Sequence, residues 1–118
     1  MYSLLIGNQE EVGRMGQVAQ VARFVAKQDA VEPLLAALDD ASAAAAGEPG
    51  TLVYVTHVER DAPHVLWVYE LYADDEAHAA HSGSEATARL RAALAETLAE
   101  PPTVTQAVPR RQLGVPAS

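Results

Sequence analysis

No cysteine occurs in the 118 residues, which removes disulfides, thiolate nucleophiles, iron–sulfur clusters and cysteine-held zinc together. Aromatic residues make up 5%, with one Trp and one Phe, so an aromatic-lined site has few side chains to draw on. Basic charge is scarce too: eight Lys+Arg stand against sixteen Asp+Glu, a formal net charge of −8 at pH 7. A surface that acidic repels phosphate backbones, and no nucleic-acid partner is expected. Lys27 is the only lysine, and the bias to arginine and alanine fits a GC-rich bacterial genome. No apolar run is long enough for a membrane-spanning helix, so no membrane partner is expected. Met1–Ile6 lacks the basic start and long apolar stretch of a secretory signal, which makes the cytoplasm the expected location. Two familiar motifs are also missing. The stretch Gly47-Glu48-Pro49-Gly50 has neither the spacing nor the following helix of a phosphate-binding loop, and no Gly-x-Ser-x-Gly elbow exists.

The chain does hold 49% hydrophobic and 20% charged residues, the balance of one soluble domain with a thin core. Residues 1–16 show three glycine breaks and no period; they read as an N-terminal extension, with Met15 as an alternative start. From Gln17 to Gln28 the pattern alternates with a period of two, a strand signal. Asp29 with Glu32 three residues on reads as a capping box, and Pro33 falls in the first helical turn, where its missing N–H costs nothing. Val31, Leu34, Leu35 and Leu38 continue as one apolar stripe, and Gly47 marks its end. Thr51–Glu59 alternates again, with Leu52, Tyr54, Thr56 and Val58 on one side and Val53, Val55 and His57 on the other. A turn over Arg60–Pro63 joins it to a strand from His64 to Tyr72, giving an antiparallel hairpin. Asp74 caps a short helix to about His81, Ser84 caps a longer one with Thr87, Leu90 and Leu94 on its stripe, and Thr103–Val108 is a last strand. Residues 110–118 form a patternless tail.

The element order β-α-β-β-α-β over residues 17–109 is the ferredoxin-like arrangement of an α+β domain, a four-stranded antiparallel sheet with its helices on one face. Its middle strands are apolar on both faces: Val53 and Val55 back onto Leu52 and Tyr54, and Trp67 and Tyr69 onto Leu66 and Val68. An apolar face left in water marks an interface, so the expected state is a homodimer with the two sheets packed together.

Chemistry-bearing residues gather late in the chain. His78 and His81 are spaced for one face of the short helix. Such pairs arise often on polar faces, so a metal site is not expected; a solvated His78 and a His81 at the helix–sheet boundary are. Glu70 and Tyr72 share a strand face with Leu66 and Val68, and a carboxylate there is costly unless paired or functional. It is expected to pair with Arg23, Arg89 or Arg91, or else to stand as a strand-edge charge. Tyr54 and His57 lie on opposite strand faces and cannot line one pocket together. The residues alone thus indicate a dimeric α+β domain with an aromatic-lined pocket near Glu70, Tyr72 and His81.

With these elements in place a resemblance emerges. Glu48-Pro49-Gly50 leading into Leu52-Val53-Tyr54, then Tyr69-Glu70-Leu71-Tyr72, Asp75-Glu76-Ala77 and His81 resemble the antibiotic biosynthesis monooxygenase domain family from about Val18 to Val108. The resemblance implies a dimeric α/β barrel. It also implies monooxygenase chemistry on quinols or aromatic polyketide-type substrates with O2, without flavin, haem or metal. On that reading His81 is the base, Tyr72 orients the substrate oxygen and Glu70 fixes the polar network, while Trp67, Tyr54 and Phe24 contact substrate. Haem-degrading relatives use an Asn on the first strand and a Trp at the third-strand end; here the first strand has no Asn and Tyr72 stands at that end. The alternative from another class is a non-enzymatic dimeric module that binds small apolar metabolites.

Overall fold

A computed structural model describes residues 16–115. Its elements run β1 (Val18–Val25), α1 (Val31–Ala45), β2 (Thr51–Glu59), β3 (Ala62–Tyr72), α2 (Asp75–Ser82), α3 (Glu85–Thr97) and β4 (Thr103–Ala107). The strands form one antiparallel sheet in the order β2-β3-β1-β4, the ferredoxin-like topology that the element order implies. Of the extension read over residues 1–16, all but Gly16 lies outside the described residues, and residues 108–115 add neither helix nor strand.

Strand alternation divides the side chains between two faces. Ala22 and Phe24 on β1, with Leu66 and Val68 on β3, are buried against Leu34 and Leu38 of α1, and Leu90 and Leu94 of α3 pack onto the same cluster. Burying each such leucine or phenylalanine stabilises the fold by about 1.5–3 kcal/mol. On the other face lie Val21, Val55, Trp67 and Tyr69, because β1 pairs Arg23 with Trp67 and β2 pairs Val55 with Tyr69. A bulge adjusts β2 at its start. Thr51 stands opposite Tyr72 and Val53 opposite Leu71, so Leu52 is the extra residue, and from Tyr54 onward the strand keeps the alternation that the sequence shows.

Two local expectations are corrected. Asp29 does not cap α1: the amide of Ala30 donates to the Lys27 carbonyl at 2.9 Å, placing Asp29 inside a turn. The N-cap is Ala30, without a side-chain cap. The hairpin is also tighter than the span Arg60–Pro63, since Glu59 already pairs with Ala62. An irregularity between Val58 and Glu59 absorbs the start of β3, where Pro63 has no N–H to offer the ladder. The other two caps form as read. Asp74 accepts from the Ala77 amide at 2.8 Å, and Ser84 accepts from that of Thr87 at 3.2 Å.

Candidate active site

The centre of the site is a carboxylate in mid-sheet. Glu70 on β3 is flanked by Gln20 of β1 and Tyr54 of β2, and it is 5% exposed. A charge so placed must be compensated locally. No arginine does this. The Tyr72 hydroxyl and the Gln20 amide at 3.2 Å both donate to Glu70 Oε1. The three expected arginine partners are engaged elsewhere: Arg23 points to the opposite face toward Glu100 at 3.7 Å, Arg89 pairs with Asp40 at 3.1 Å, and Arg91 donates to the Ser82 carbonyl. Parity decides the first of these, for Arg23 and Glu70 project from opposite sides of one sheet.

His81, near the end of α2, is buried between two carboxylates. Its Nδ1 is 2.9 Å from Glu48 Oε1 and its Nε2 is 3.8 Å from Glu70 Oε1. A carboxylate at Glu48 can only accept, so Nδ1 is the donor of that bond, and Nε2 is the ring nitrogen that faces Glu70. Glu48 is itself held by the Thr51 hydroxyl, which donates at 2.6 Å. The rings of Tyr72 and Tyr54 flank the imidazole, with centroids 5.2 and 5.7 Å away.

The Glu-Pro-Gly turn is what brings Glu48 there. A Cβ on Gly50 would lie 2.4 Å from the Ala77 Cβ, so only glycine lets this turn close onto α2. Gly50→Ala is expected to lower stability by about 1–3 kcal/mol through that overlap. It is also expected to push the turn off α2 and change the environment of the His81 ring. Denaturant unfolding and a histidine-resolved NMR spectrum check the two effects separately.

His78, one turn earlier on α2, is not solvated as expected. It is half-buried, with Nε2 3.1 Å from Gln20 Oε1, and its ring meets that of Tyr72 edge-on at 5.2 Å. Because Gln20 turns its amide nitrogen to Glu70, its oxygen faces His78 and also accepts from Gln106 Nε2 at 3.2 Å. Among the described residues no group of three His, Cys, Asp or Glu side chains is placed to hold a metal ion.

The two tyrosines of the cluster are fixed as neutral phenols. Burial raises Tyr72 well above the ordinary tyrosine value, and the hydrogen bond and negative charge of Glu70 add to this. Burial likewise raises Tyr54, followed by the charges of Glu70 and Glu48. Both therefore act as hydrogen-bond donors, and the groups left on the cavity wall to accept a proton are His78, His81 and Glu70.

These side chains face a cavity of about 420 Å³ between the sheet and helices α2 and α3. Phe24, Tyr54, Glu70 and His81 line it, with Leu90 and Leu94 as its apolar wall. A larger groove of about 470 Å³ runs along α3 to Pro102, and Arg91 and Glu100 are its only charged lining residues. The acid–base groups belong to the smaller space. Tyr72 is fully buried behind it. Trp67 is the exception among the expected substrate contacts, and its placement is a correction. It projects from the opposite sheet face, where its Nε1 donates to Glu59 at 2.9 Å and the Arg23 guanidinium lies 5.6 Å from its ring centre. The residue between two helix-facing positions of a strand cannot reach their pocket. Sequence reasoning placed Glu48 in a turn and passed over Gln20 and Gln106; their roles depend on strand register and on how the turn docks.

A family model for antibiotic biosynthesis monooxygenases matches residues 17–93. The chain belongs to that family. Solved structures share its fold. Rv0793 from Mycobacterium tuberculosis is 31% identical, with 81% of this chain and 97% of that one covered and a TM-score of 0.77. NE2512 from Nitrosomonas europaea is 26% identical over 90% of this chain and all (100%) of that one, with a TM-score of 0.76. SO0527 from Shewanella oneidensis is 26% identical over 79% and 90%, with a TM-score of 0.73. No curated protein matches the chain. In this antibiotic biosynthesis monooxygenase family member, the matched segment carries Gln20, Glu48, Tyr54, Glu70, Tyr72 and His81, whereas Gln106 lies beyond it.

Proposed function

We propose that this antibiotic biosynthesis monooxygenase family member oxidises a quinol or aromatic polyketide-type substrate with O2, without a cofactor. The observation that carries this reading is the Glu70–His81 pair on the wall of a cavity that also presents Ala22, Phe24, Leu90 and Leu94, with Glu48 on the far side of the imidazole. A pocket that only bound apolar metabolites would gain nothing from a buried Glu70 beside an imidazole, given what that carboxylate costs to desolvate. The volume suits a polycyclic aromatic molecule.

The chemistry asks little more of the protein than a base, a fixed orientation and exclusion of water. An electron-rich ring carbon bearing two hydrogens beside a carbonyl, as in an anthrone, loses one proton to His81 Nε2. The resulting enolate gives one electron to O2, and the carbon radical and superoxide join as a peroxide. The peroxide regains a proton and loses water to leave a second carbonyl, so one CH2 and one O2 become one C=O and one H2O. Tyr54, a neutral phenol on the cavity wall, donates to the substrate carbonyl. Tyr72 and Gln20 keep Glu70 in place beside the ring. The test is oxygen uptake by EDTA-treated protein on a panel of anthrones and naphthohydroquinones. Uptake above autoxidation supports the reading, and saturable binding without uptake favours the binding module.

The working unit in this proposal is a homodimer. On the face away from the helices, Val21 and Val55 remain 36% and 39% exposed beside Trp67 and Tyr69, and a second copy of the sheet covers that apolar strip. Sedimentation at micromolar concentration is expected to give twice the chain mass, and Val55→Asp to shift it toward one.

A further inference from the structure

We propose that Glu48 is a proton relay that connects the buried base to solvent through a second cavity, on the far side of His81 from the substrate. The proposal rests on the monooxygenase reading for its kinetic consequence, though not for its geometry.

Two cavities lie back to back at this point. The inner one holds Tyr54 and Glu70. The outer one, about 370 Å³, lies between the Glu-Pro-Gly turn and α2 and is lined by Glu48, Thr51, Asp74 and Glu76. His81 is the one residue that lines both. Its two ring nitrogens divide accordingly: Nε2 faces Glu70 at 3.8 Å and Nδ1 bonds Glu48 at 2.9 Å. The side chains grade from interior to surface in the same direction, with Glu70 6% exposed, His81 9% and Glu48 25%. An imidazole that accepts a proton at one nitrogen can release a different proton from the other. Here the release side opens onto the cleft between the Glu-Pro-Gly turn and α2, away from the cavity that would hold substrate.

The cycle balances. Nε2 takes the substrate proton, and the imidazolium passes its Nδ1 proton to the Glu48 carboxylate, which loses it to water in the outer cleft. The ring now carries its proton on Nε2. Glu48 next returns a proton from the cleft to Nδ1, and the imidazolium so formed donates its Nε2 proton to the peroxide anion, which restores the starting tautomer with no net proton gained. Moving the first proton outside keeps it from returning to the enolate before O2 reacts. Tyr54 and Tyr72 cannot serve this exit, as both are held neutral and neither lines the outer cleft. Glu48 acts through His81 and touches no substrate, which makes it a positioning and relay residue.

Glu48→Gln separates relay from positioning, because the amide oxygen still accepts from Nδ1 but cannot take its proton. In the full chain, kcat for oxygen uptake is expected to fall by about tenfold or more with KM within about twofold, and exchange of the His81 ring N–H with water, read by NMR on nitrogen-15-labelled histidine, to slow by a similar factor. In Glu48→Ala, added formate is expected to enter the vacated cleft and restore both rates. Unchanged kcat and N–H exchange in Glu48→Gln would overturn the relay, as would a folded Glu48→Ala that formate does not rescue. Absence of oxygen uptake in the unaltered protein would instead sink the monooxygenase reading, and the exchange measurement, which needs no turnover, still decides the relay.

Discussion

His81→Ala is expected to lower oxygen uptake by about 10²–10⁴-fold, the range that a positioned acid–base group contributes. The loss should fall on kcat, because the cavity keeps its apolar walls and Tyr54 still donates to the substrate carbonyl; KM should stay within about threefold. The replacement leaves α2 intact. Asp74 still caps it through the Ala77 amide at 2.8 Å, and alanine is the best helix former. The variant also leaves Glu70 held by Tyr72 and Gln20, so a kinetic defect in a folded protein reports the base itself. Added imidazole fits the vacated space and should restore part of the rate. Unchanged turnover in His81→Ala would move the base to Glu70, and Glu70→Gln would then show the loss. Trp67 fluorescence is a poor reporter of ligand in these experiments, because the indole lies on the other side of the sheet and bonds Glu59. Calorimetry is the sounder measure of binding.

The sheet and most of its helices could be read directly, since period and caps are local. Thr51–Glu59, the Asp74 and Ser84 caps and the sequence of elements along the chain need only local neighbours. The site was legible to the extent that its residues share an element or follow a known family pattern: Glu70, Tyr72 and His81 lie together, and Phe24 and Tyr54 line the cavity of Glu70 and His81, whereas Tyr72 is buried behind it and does not reach a substrate oxygen. What escaped depends on pairing between distant segments. Gln20 meets Glu70 only because register sets them opposite each other fifty residues apart. Glu48 meets His81 only because a glycine lets a turn dock on a helix. Trp67 is expected at the substrate only through the family resemblance; strand alternation sets it on the opposite face from Leu66 and Val68, and its pairing with Arg23 holds it on the face away from the cavity. The Asp29 capping box failed because a turn over Lys27–Ala30 consumed the residue that the motif required.

Tyrosine ionisation gives the second large effect, and its sign follows from burial and then from the neighbouring carboxylates. In the unfolded chain each phenol loses its proton near pH 10, the ordinary value. In the fold, burial first and then the neighbouring Glu70 hold Tyr54 and Tyr72 protonated well beyond that. Below pH 10 both states bind the same protons at these sites, and the tyrosines put no slope on stability. Above it the unfolded state binds fewer, so stability falls by about 1.4 kcal/mol per pH unit for each tyrosine, about 2.7 for the pair, until the folded-state values are passed. A domain with a margin of roughly 5–15 kcal/mol is then expected to unfold within a few pH units above 10. Tyrosinate absorbance from these two residues should emerge together with loss of the near-ultraviolet dichroism. Ionisation of either phenol near pH 10 in a folded protein would refute the buried, carboxylate-flanked placement. Tyr72→Phe should act in opposite directions at the two ends of the pH range. Near pH 7 it removes a donor from the buried Glu70 and costs about 1–3 kcal/mol. Above pH 10 it deletes one of the two titrating phenols and halves the slope, so the stability curves of the variant and the parent chain should converge as the solution is made alkaline.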